Sequence, residues 1–397
     1  MEYIQQGTSA FRKANLAFFA AGFNTFAILY STQPLLPVFT EEFHISPTMA
    51  SLSLSVTTIS LAISMLLFSS ISEVWGRKPV MIISMLAASI LSIFTAFSTT
   101  YESLLLFRVI QGFALGGLPA IAMAYLGEEM EPDSLGVAMG LYISGNSLGA
   151  VSGRVISGML TDIFNWHLAM GVISFISLLA SLIFFVSLPK SQNFKPRSPD
   201  IGKLLISLAS HLKDPGLLRL YSIGFLILGS NVAFFNYIGY VLTAPPYSLS
   251  QTLVSWIFIV YLVGMFSSVW MAKMANQHGS QKVLALSLFI TLAGVCLTLY
   301  SHLWLKLAGL PIMTFGFFGS HSIASSWVGR RALQDKAQAS SLYLFFYYAG
   351  SSIGGTTAGA FWSSFGWGGV VGMITGFLLI ALVLASRLAK VGLVQRM

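Results

Sequence analysis

The chain has 397 residues, 55% of them hydrophobic and only 9% charged, with a formal net charge of +8 from 21 Lys+Arg against 13 Asp+Glu. An ordinary soluble protein carries roughly 25% charged residues, so this chain cannot coat a water-exposed surface of its size, and its apolar content excludes intrinsic disorder. One cysteine, Cys296, excludes an intramolecular disulfide or a cysteine-based metal cluster, and the cations form short clusters without the stripe or motif of a nucleic-acid binder.

The lipid bilayer is the solvent that remains. Hydrocarbon offers no partner for backbone N–H and C=O groups, so a spanning helix needs ~20 mostly apolar residues. Twelve such runs follow one another. Spans 1 to 6 are expected at about 14–38, 49–71, 80–98, 103–127, 134–160 and 167–188, and spans 7 to 12 at about 218–243, 251–272, 282–300, 303–328, 339–364 and 368–386. Arg12 and Lys13 precede a first run longer than the apolar region of a cleaved signal, so it reads as a true span. Residues 1–189 and 218–397 then form two six-helix halves, and 190–217, with Lys190, Lys195, Arg197, Lys203 and Lys213 among prolines and serines, is the linker.

Cytoplasmic loops carry the excess of Lys and Arg. One set of loops holds Arg12, Lys13, Arg77, Lys78, the linker cations, Arg219, Lys273, Lys282, Arg330, Arg331, Lys336, Arg387, Lys390 and Arg396, whereas the opposite loops hold Glu41, Glu42, Glu102 and Asp162. Both termini and the linker are therefore expected in the cytoplasm. The acidic loop Glu128, Glu129, Glu131 and Asp133 falls on that same side, where acids count little.

The halves repeat each other. Ser69-x3-Glu73-x2-Gly76-Arg77-Lys78 after span 2 corresponds to Ala272-x3-Asn276-x2-Gly279 after span 8, and Gly145-Asn146-Ser147-Leu148-Gly149 in span 5 to Gly350-Ser351-Ser352-Ile353-Gly354 in span 11. A duplicated bundle with a site near the midplane is what an alternating-access transporter uses.

These motifs resemble the major facilitator superfamily, and more narrowly its twelve-helix drug:proton antiporter and sugar-efflux branch, over essentially the whole chain. The implied fold is an all-α integral membrane protein, twelve transmembrane helices in two pseudo-symmetric six-helix bundles. The loop after span 2 matches at Gly76, Arg77 and Lys78, with Ser69 replacing a glycine and Glu73 an aspartate. The resemblance makes it a conformational latch on the cytoplasmic side; the alternative is a basic topology anchor. Leu104-x3-Arg108-x2-Gln111-Gly112 in span 4 is similar to the family motif whose arginine faces the cavity and is tied to proton coupling. An arginine in hydrocarbon is costly by default, and bonding to neighbouring carbonyls is the other role open to it. In span 5, Gly145, Gly149 and Gly153 follow the family's antiporter motif, with Ala150 for its proline and Arg154 for its last glycine. Small residues so spaced let helices pack closely.

All 13 acids lie in loops or near helix ends, and Tyr30 stands where many relatives carry an aspartate before Gln33-Pro34-x-x-Pro37. For proton handling this leaves His321 in span 10, whose imidazole titrates near physiological pH, although a lone histidine can also be a simple hydrogen-bonding residue. Substrate contacts are expected among Asn24, Tyr30, Gln33, Asn146, Asn231, Asn236, Tyr237, Tyr240, Tyr343, Tyr347 and Tyr348. Spacing of four puts Asn236 with Tyr240 and Tyr343 with Tyr347 on shared faces, which suits a medium-sized amphipathic organic solute. Each residue by itself could equally bond a neighbouring helix.

The expected function is export of a small organic compound, drug-like or a metabolite, across the cytoplasmic membrane in exchange for protons. Export or exchange of a sugar or organic anion is the alternative, suggested by Arg108 and Arg154. The expected partners are the substrate, protons and the bilayer, with the chain acting as a monomer; the resemblance implies a bacterial source and an inner membrane. No His-Glu-x-x-His, no Gly-x-Ser-x-Gly with a triad and no phosphate-binding loop is present, so neither enzymatic chemistry nor a metal or other cofactor is expected.

Overall fold

A computed structural model describes residues 3–194, 196 and 201–392. Lys195, Arg197 and Arg396 of the expected topology signal, and the acids Glu2 and Asp200, lie outside the described residues. Among the described residues ten segments are long and apolar enough to cross a membrane. One of them, Lys336–Gly392, is two helices merged across Gly366, whose φ of 59° is left-handed and favours glycine. The more polar helix Pro132–Ile163 has 32 residues, also enough to span. Twelve spans result: Ser9–Glu42, Pro47–Trp75, Arg77–Ala96, Tyr101–Glu129, Pro132–Ile163 and Trp166–Ser187, then Pro215–Thr243, Gln251–His278, Ser280–Leu297, Leu303–Arg331 and the two arms of Lys336–Gly392. Phe97, Phe175, Phe266 and Phe289 are between 61% and 76% exposed, as befits side chains that face lipid.

The chain forms two compact units: Met1–His44, Val56–Pro199 and Ser250–Trp256 in the first; Ile45–Ser55, Asp200–Leu249 and Ile257–Met397 in the second. Phe18 centres the core of the first unit, with the rings of Tyr125, Tyr142 and Phe184 at 5.3, 6.1 and 6.0 Å. In the second, Phe234 and Phe235 meet Trp367, Phe258 and Tyr261 within 5.1–5.4 Å. Several helix starts are capped by side chains that meet the unpaired first-turn N–H groups. Thr8 accepts from Phe11 N, Asn165 from Leu168 N, and Asp214 from Gly216 N and Leu217 N.

Two features depart from the sequence expectations. Span 1 is broken rather than continuous: Ser9–Tyr30 ends, a 3-10 turn covers Gln33–Leu35, and Leu36–Glu42 resumes the helix. Pro34 has no N–H to give Tyr30 O, so the ladder must stop there. The linker, read as a polar stretch, contains the helix Ile201–Lys213, whose apolar residues recur every three to four positions.

The glycine stripe of span 5 lies along span 1. A Cβ at Gly145, Gly149 or Gly153 would overlap the carbonyl oxygen of Phe19, Phe23 or Ala27, a parallel register advancing four residues at a time. The second unit repeats it, with Gly350 against Phe225 O and Gly354 against Gly229. Alanine normally improves a helical glycine position by about 1 kcal/mol. Gly149→Ala is expected to reverse that sign, costing about 1–3 kcal/mol through overpacking. Gly140→Ala, where a Cβ meets nothing within 4 Å, is expected to be neutral or stabilising. Thermal midpoints of the two purified variants check the contrast.

Candidate functional site

The break in span 1 strands carbonyl groups inside the first unit, and span 4 supplies their donors. Arg108 is fully buried. Its Nη1 donates to Ile28 O at 3.1 Å and Gln111 Oε1 at 2.7 Å; its Nη2 donates to Leu29 O at 2.8 Å and Thr32 Oγ1 at 3.3 Å. Gln111 Nε2 donates onward to Ala88 O of span 3 at 3.2 Å. From span 5, Ser157 Oγ donates to Ser31 O at 2.7 Å. Arg108 thus serves as a cationic cap at the negative end of a helix dipole, where a cation is stabilising. Gly112, next to Gln111, lets span 4 approach the Thr57 backbone, which a Cβ would strike.

Arg154 reaches the same break. Its Nε donates to Gln33 Oε1 at 2.7 Å, its Nη1 to Ala150 O at 2.7 Å, and its guanidinium carbon lies 3.9 Å from the Tyr30 ring centroid, within cation–π range. Tyr30, Gln33, Arg108, Gln111 and Arg154 are therefore one cluster, built on residues 28–33. Asn24 lies elsewhere, its Nδ2 donating to Ser181 Oγ at 2.9 Å and Ser89 Oγ at 3.3 Å, which ties span 1 to spans 6 and 3. Asn146 packs against Gly22 at a point where a Cβ would collide with it.

In the second unit His321 and Tyr343 share a 3.0 Å hydrogen bond between Nδ1 and the hydroxyl, and the imidazole stacks on Tyr347 at 4.3 Å. Tyr347 also packs edge-on to Tyr348. Tyr237, Tyr240 and Trp362 form a separate aromatic group with centroids 5.7–6.0 Å apart. Asn236 is buried beside Gly355, and Asn231 accepts from Tyr261 Oη at 2.9 Å.

The loop after span 2 turns at Gly76, whose φ is 95°; its counterpart Gly279 has 93°. Both need the left-handed region that glycine tolerates. Arg77 grips Glu128 with two contacts, 2.8 Å from Nη2 and 3.2 Å from Nε, and donates to Ser72 Oγ at 2.7 Å, while Lys78 Nζ donates to Leu188 O. Glu73 makes no hydrogen bond or ion pair with any described residue. Glu129 accepts from Ser191 Oγ, Gln192 N and Asn193 N at 2.6–3.0 Å, so the acidic pair after span 4 anchors the basic loop and the start of the linker. In the second unit the polarity is transposed: Arg330, at the end of span 10, donates to Asn276 Oδ1 and Ser280 Oγ of the loop.

Sequence reasoning passed over Lys306. It lies in the first turn of span 10, 5% exposed, its Nζ donating to Thr298 O and lying 5.7 Å from the Tyr247 ring centroid. Trp367 Nε1 donates to the same carbonyl at 3.2 Å. A lysine inside a predicted span, on the side otherwise bare of cations, was the available signal. Ser157 and Trp362 left none.

A family model described as Major Facilitator Superfamily matches residues 16–249. The chain belongs to that superfamily. Within it, the chain is 62% identical over 390 residues to the uncharacterized MFS-type transporter YybF of Bacillus subtilis (strain 168), covering 98% of this chain and 96% of the relative. It is 45% identical over 389 residues to the inner membrane transport protein YnfM of Escherichia coli (strain K12), covering 98% and 93%. Among solved structures, a peptide transporter POT in complex with sulfate matches with a TM-score of 0.77 over 96% of this chain and 94% of that one, at 14% identity, a likeness of fold alone. The protein is a multi-pass membrane transporter of the major facilitator fold, not an enzyme.

At the start of span 7, burial would raise the Asp214 carboxyl. The Arg331 hydrogen bond at 2.8 Å, the N–H groups of Leu217 and Gly216 and the Arg331 charge outweigh it, and the net shift is downward from the ordinary 3.8. A depressed carboxyl contributes stability above its unfolded value and loses it as pH falls through the folded one. Asp214→Asn is therefore expected to lower the thermal midpoint at neutral pH. The gap to wild type should close below about pH 4, as a pH series of melting curves can check.

Proposed function

We propose that the chain exports a small organic compound from the cytoplasm by alternating access, driven by protons moving inward. The observation that carries the coupling is the His321–Tyr343 hydrogen bond. An imidazole can take up and release a proton near neutral pH, and here it sits inside a span while, among the described residues, every acid lies in a loop or near a helix end. Arginine cannot serve in its place, because it stays protonated in proteins. Arg108, whose donors hold the span 1 break, is read as a structural cap with an indirect effect on transport. The resemblance of the span 5 glycines to the antiporter motif supports the outward direction.

In this reading residues 1–189 and 218–397 are the two halves and 190–217 the linker. Both termini and the linker face the cytoplasm, following the Lys and Arg bias, and the monomer is the working unit. The likeness to YnfM, an inner membrane transport protein of Escherichia coli, supports an inner-membrane location. Tyr30, Gln33, Arg154, Asn236, Tyr237, Tyr240 and Tyr347 are the residues proposed to meet the substrate. Asn24 and Asn146 support the helices around them. Glu73, Gly76, Arg77 and Lys78 form the conformational latch, in which Glu73 gains its partner in another state of the cycle.

An accumulation screen in cells with and without the protein identifies a substrate, and proteoliposomes with an imposed pH gradient then test the mechanism. His321→Gln is expected to lose gradient-driven transport at least tenfold while retaining downhill exchange of substrate. Wild-type transport indifferent to the gradient overturns the coupling.

A further inference from the structure

Two guanidinium groups buried in the first unit converge on one short stretch of span 1, but their contacts differ in kind. Arg108 is committed to main-chain oxygens at the end of the Ser9–Tyr30 helix, those of Ile28 and Leu29. The contacts of Arg154 include ones that can be exchanged without unpicking a helix, among them a side-chain amide at Gln33, the carbonyl of Ala150 on its own helix, and the face of Tyr30.

The charge balance around them is positive. The end of the Ser9–Tyr30 helix offers about half a negative charge to two cations. Asp162, two turns beyond Arg154 on span 5, is engaged elsewhere, its Oδ2 accepting from Thr252 Oγ1 at 2.6 Å and Thr252 N at 3.2 Å. Among the described residues no other acid lies within the spans except near their ends. In a low-dielectric interior a surplus cation is costly, and an anion that pairs with it is correspondingly favoured. Guanidinium presents a planar fork that matches a carboxylate or phosphate in two parallel hydrogen bonds. The Gln33 amide oxygen now occupies the Nε side of that fork, so it is an acceptor that must give way, while the Tyr30 ring lies against the guanidinium carbon.

We infer that the transported compound is a small organic anion, its acidic group received by Arg154 in place of the Gln33 amide oxygen. This rests on the transporter reading above and narrows it to one substrate class. A cationic compound would instead be repelled by both guanidinium groups.

The test uses the purified full-length protein and five probes: benzoate, succinate and inorganic phosphate as anions, tetraphenylphosphonium as a cation and glucose as a neutral compound. At least one anion is expected to raise the thermal midpoint in a saturable way, with the cation and glucose inert. Arg154→Gln should weaken the apparent affinity at least tenfold, and Arg154→Lys, which keeps the charge but loses the fork, by a smaller factor with anion preference intact. If Arg154→Gln does not fold, wild-type charge selectivity and Arg154→Lys decide. Stabilisation by none of the anions, or equal stabilisation of Arg154→Gln, overturns the inference. Anion binding that is lost in Arg154→Gln, without movement of the same anion in proteoliposomes, overturns the transport reading and with it the claim that the anion is cargo, while the anion site at Arg154 stands; transport of tetraphenylphosphonium or glucose that survives Arg154→Gln overturns this inference alone.

Discussion

A missing N–H at Pro34 organises the first unit. Because the proline ring cannot donate to Tyr30 O, the helix of span 1 ends within the membrane-spanning stretch, and hydrocarbon cannot hydrate the carbonyls left over. Beside the break, Arg108 and Ser157 donate to the carbonyl oxygens of Ile28, Leu29 and Ser31 from spans 4 and 5. The irregular backbone is tolerated because protein donors surround it. The same donors place Gln33, Tyr30 and Arg154 side by side. Arg108 is buried at the price of its hydration, and four oxygen acceptors replace the water.

The fold was readable because membrane spans announce themselves in one dimension: a run of apolar residues long enough to cross, then polar punctuation. The positions of Gly145, Gly149 and Gly153 were readable too, since a four-residue stripe of glycine has few uses besides close packing. Their partners were not, because a backbone carbonyl has no sequence signature. Arg108 shows the same limit. Its cost in hydrocarbon marked it out, but whether it served a cavity or a helix end depended on where span 1 broke. Glu129 was read as part of an awkward acidic loop, and only the folded chain brings Ser191, Gln192 and Asn193 to it. The linker helix was hidden by its lysines and serines, although residues 201, 204, 205, 208 and 212 are Ile or Leu at helical spacing.

Duplication and divergence are visible at the loop after span 2 and its counterpart after span 8. Both turn on a glycine of nearly equal φ, and both tie the loop to the end of the helix two spans later. In the first unit the cation belongs to the loop and the anion to the helix. In the second the cation belongs to the helix, and the loop offers an amide and a hydroxyl. The geometric task persisted while the charges that perform it moved, so alignment of the halves by charge alone would miss the equivalence of Arg77 with Ser280.

The contact between spans 1 and 5 restricts how the first unit can deform. Its teeth are main-chain oxygens of Phe19, Phe23 and Ala27 seated at glycines, and a Cβ elsewhere on span 5 offers no equivalent notch. Successive notches are four residues apart, about 6 Å along the axis, so gradual sliding would drive oxygen into side chain before reaching the next seat. Shear between these two helices is therefore blocked at small amplitude. They behave as a single stiff member, and any bending on this side of the molecule must be taken up where the ladder of hydrogen bonds is already interrupted, at Ser31–Leu35.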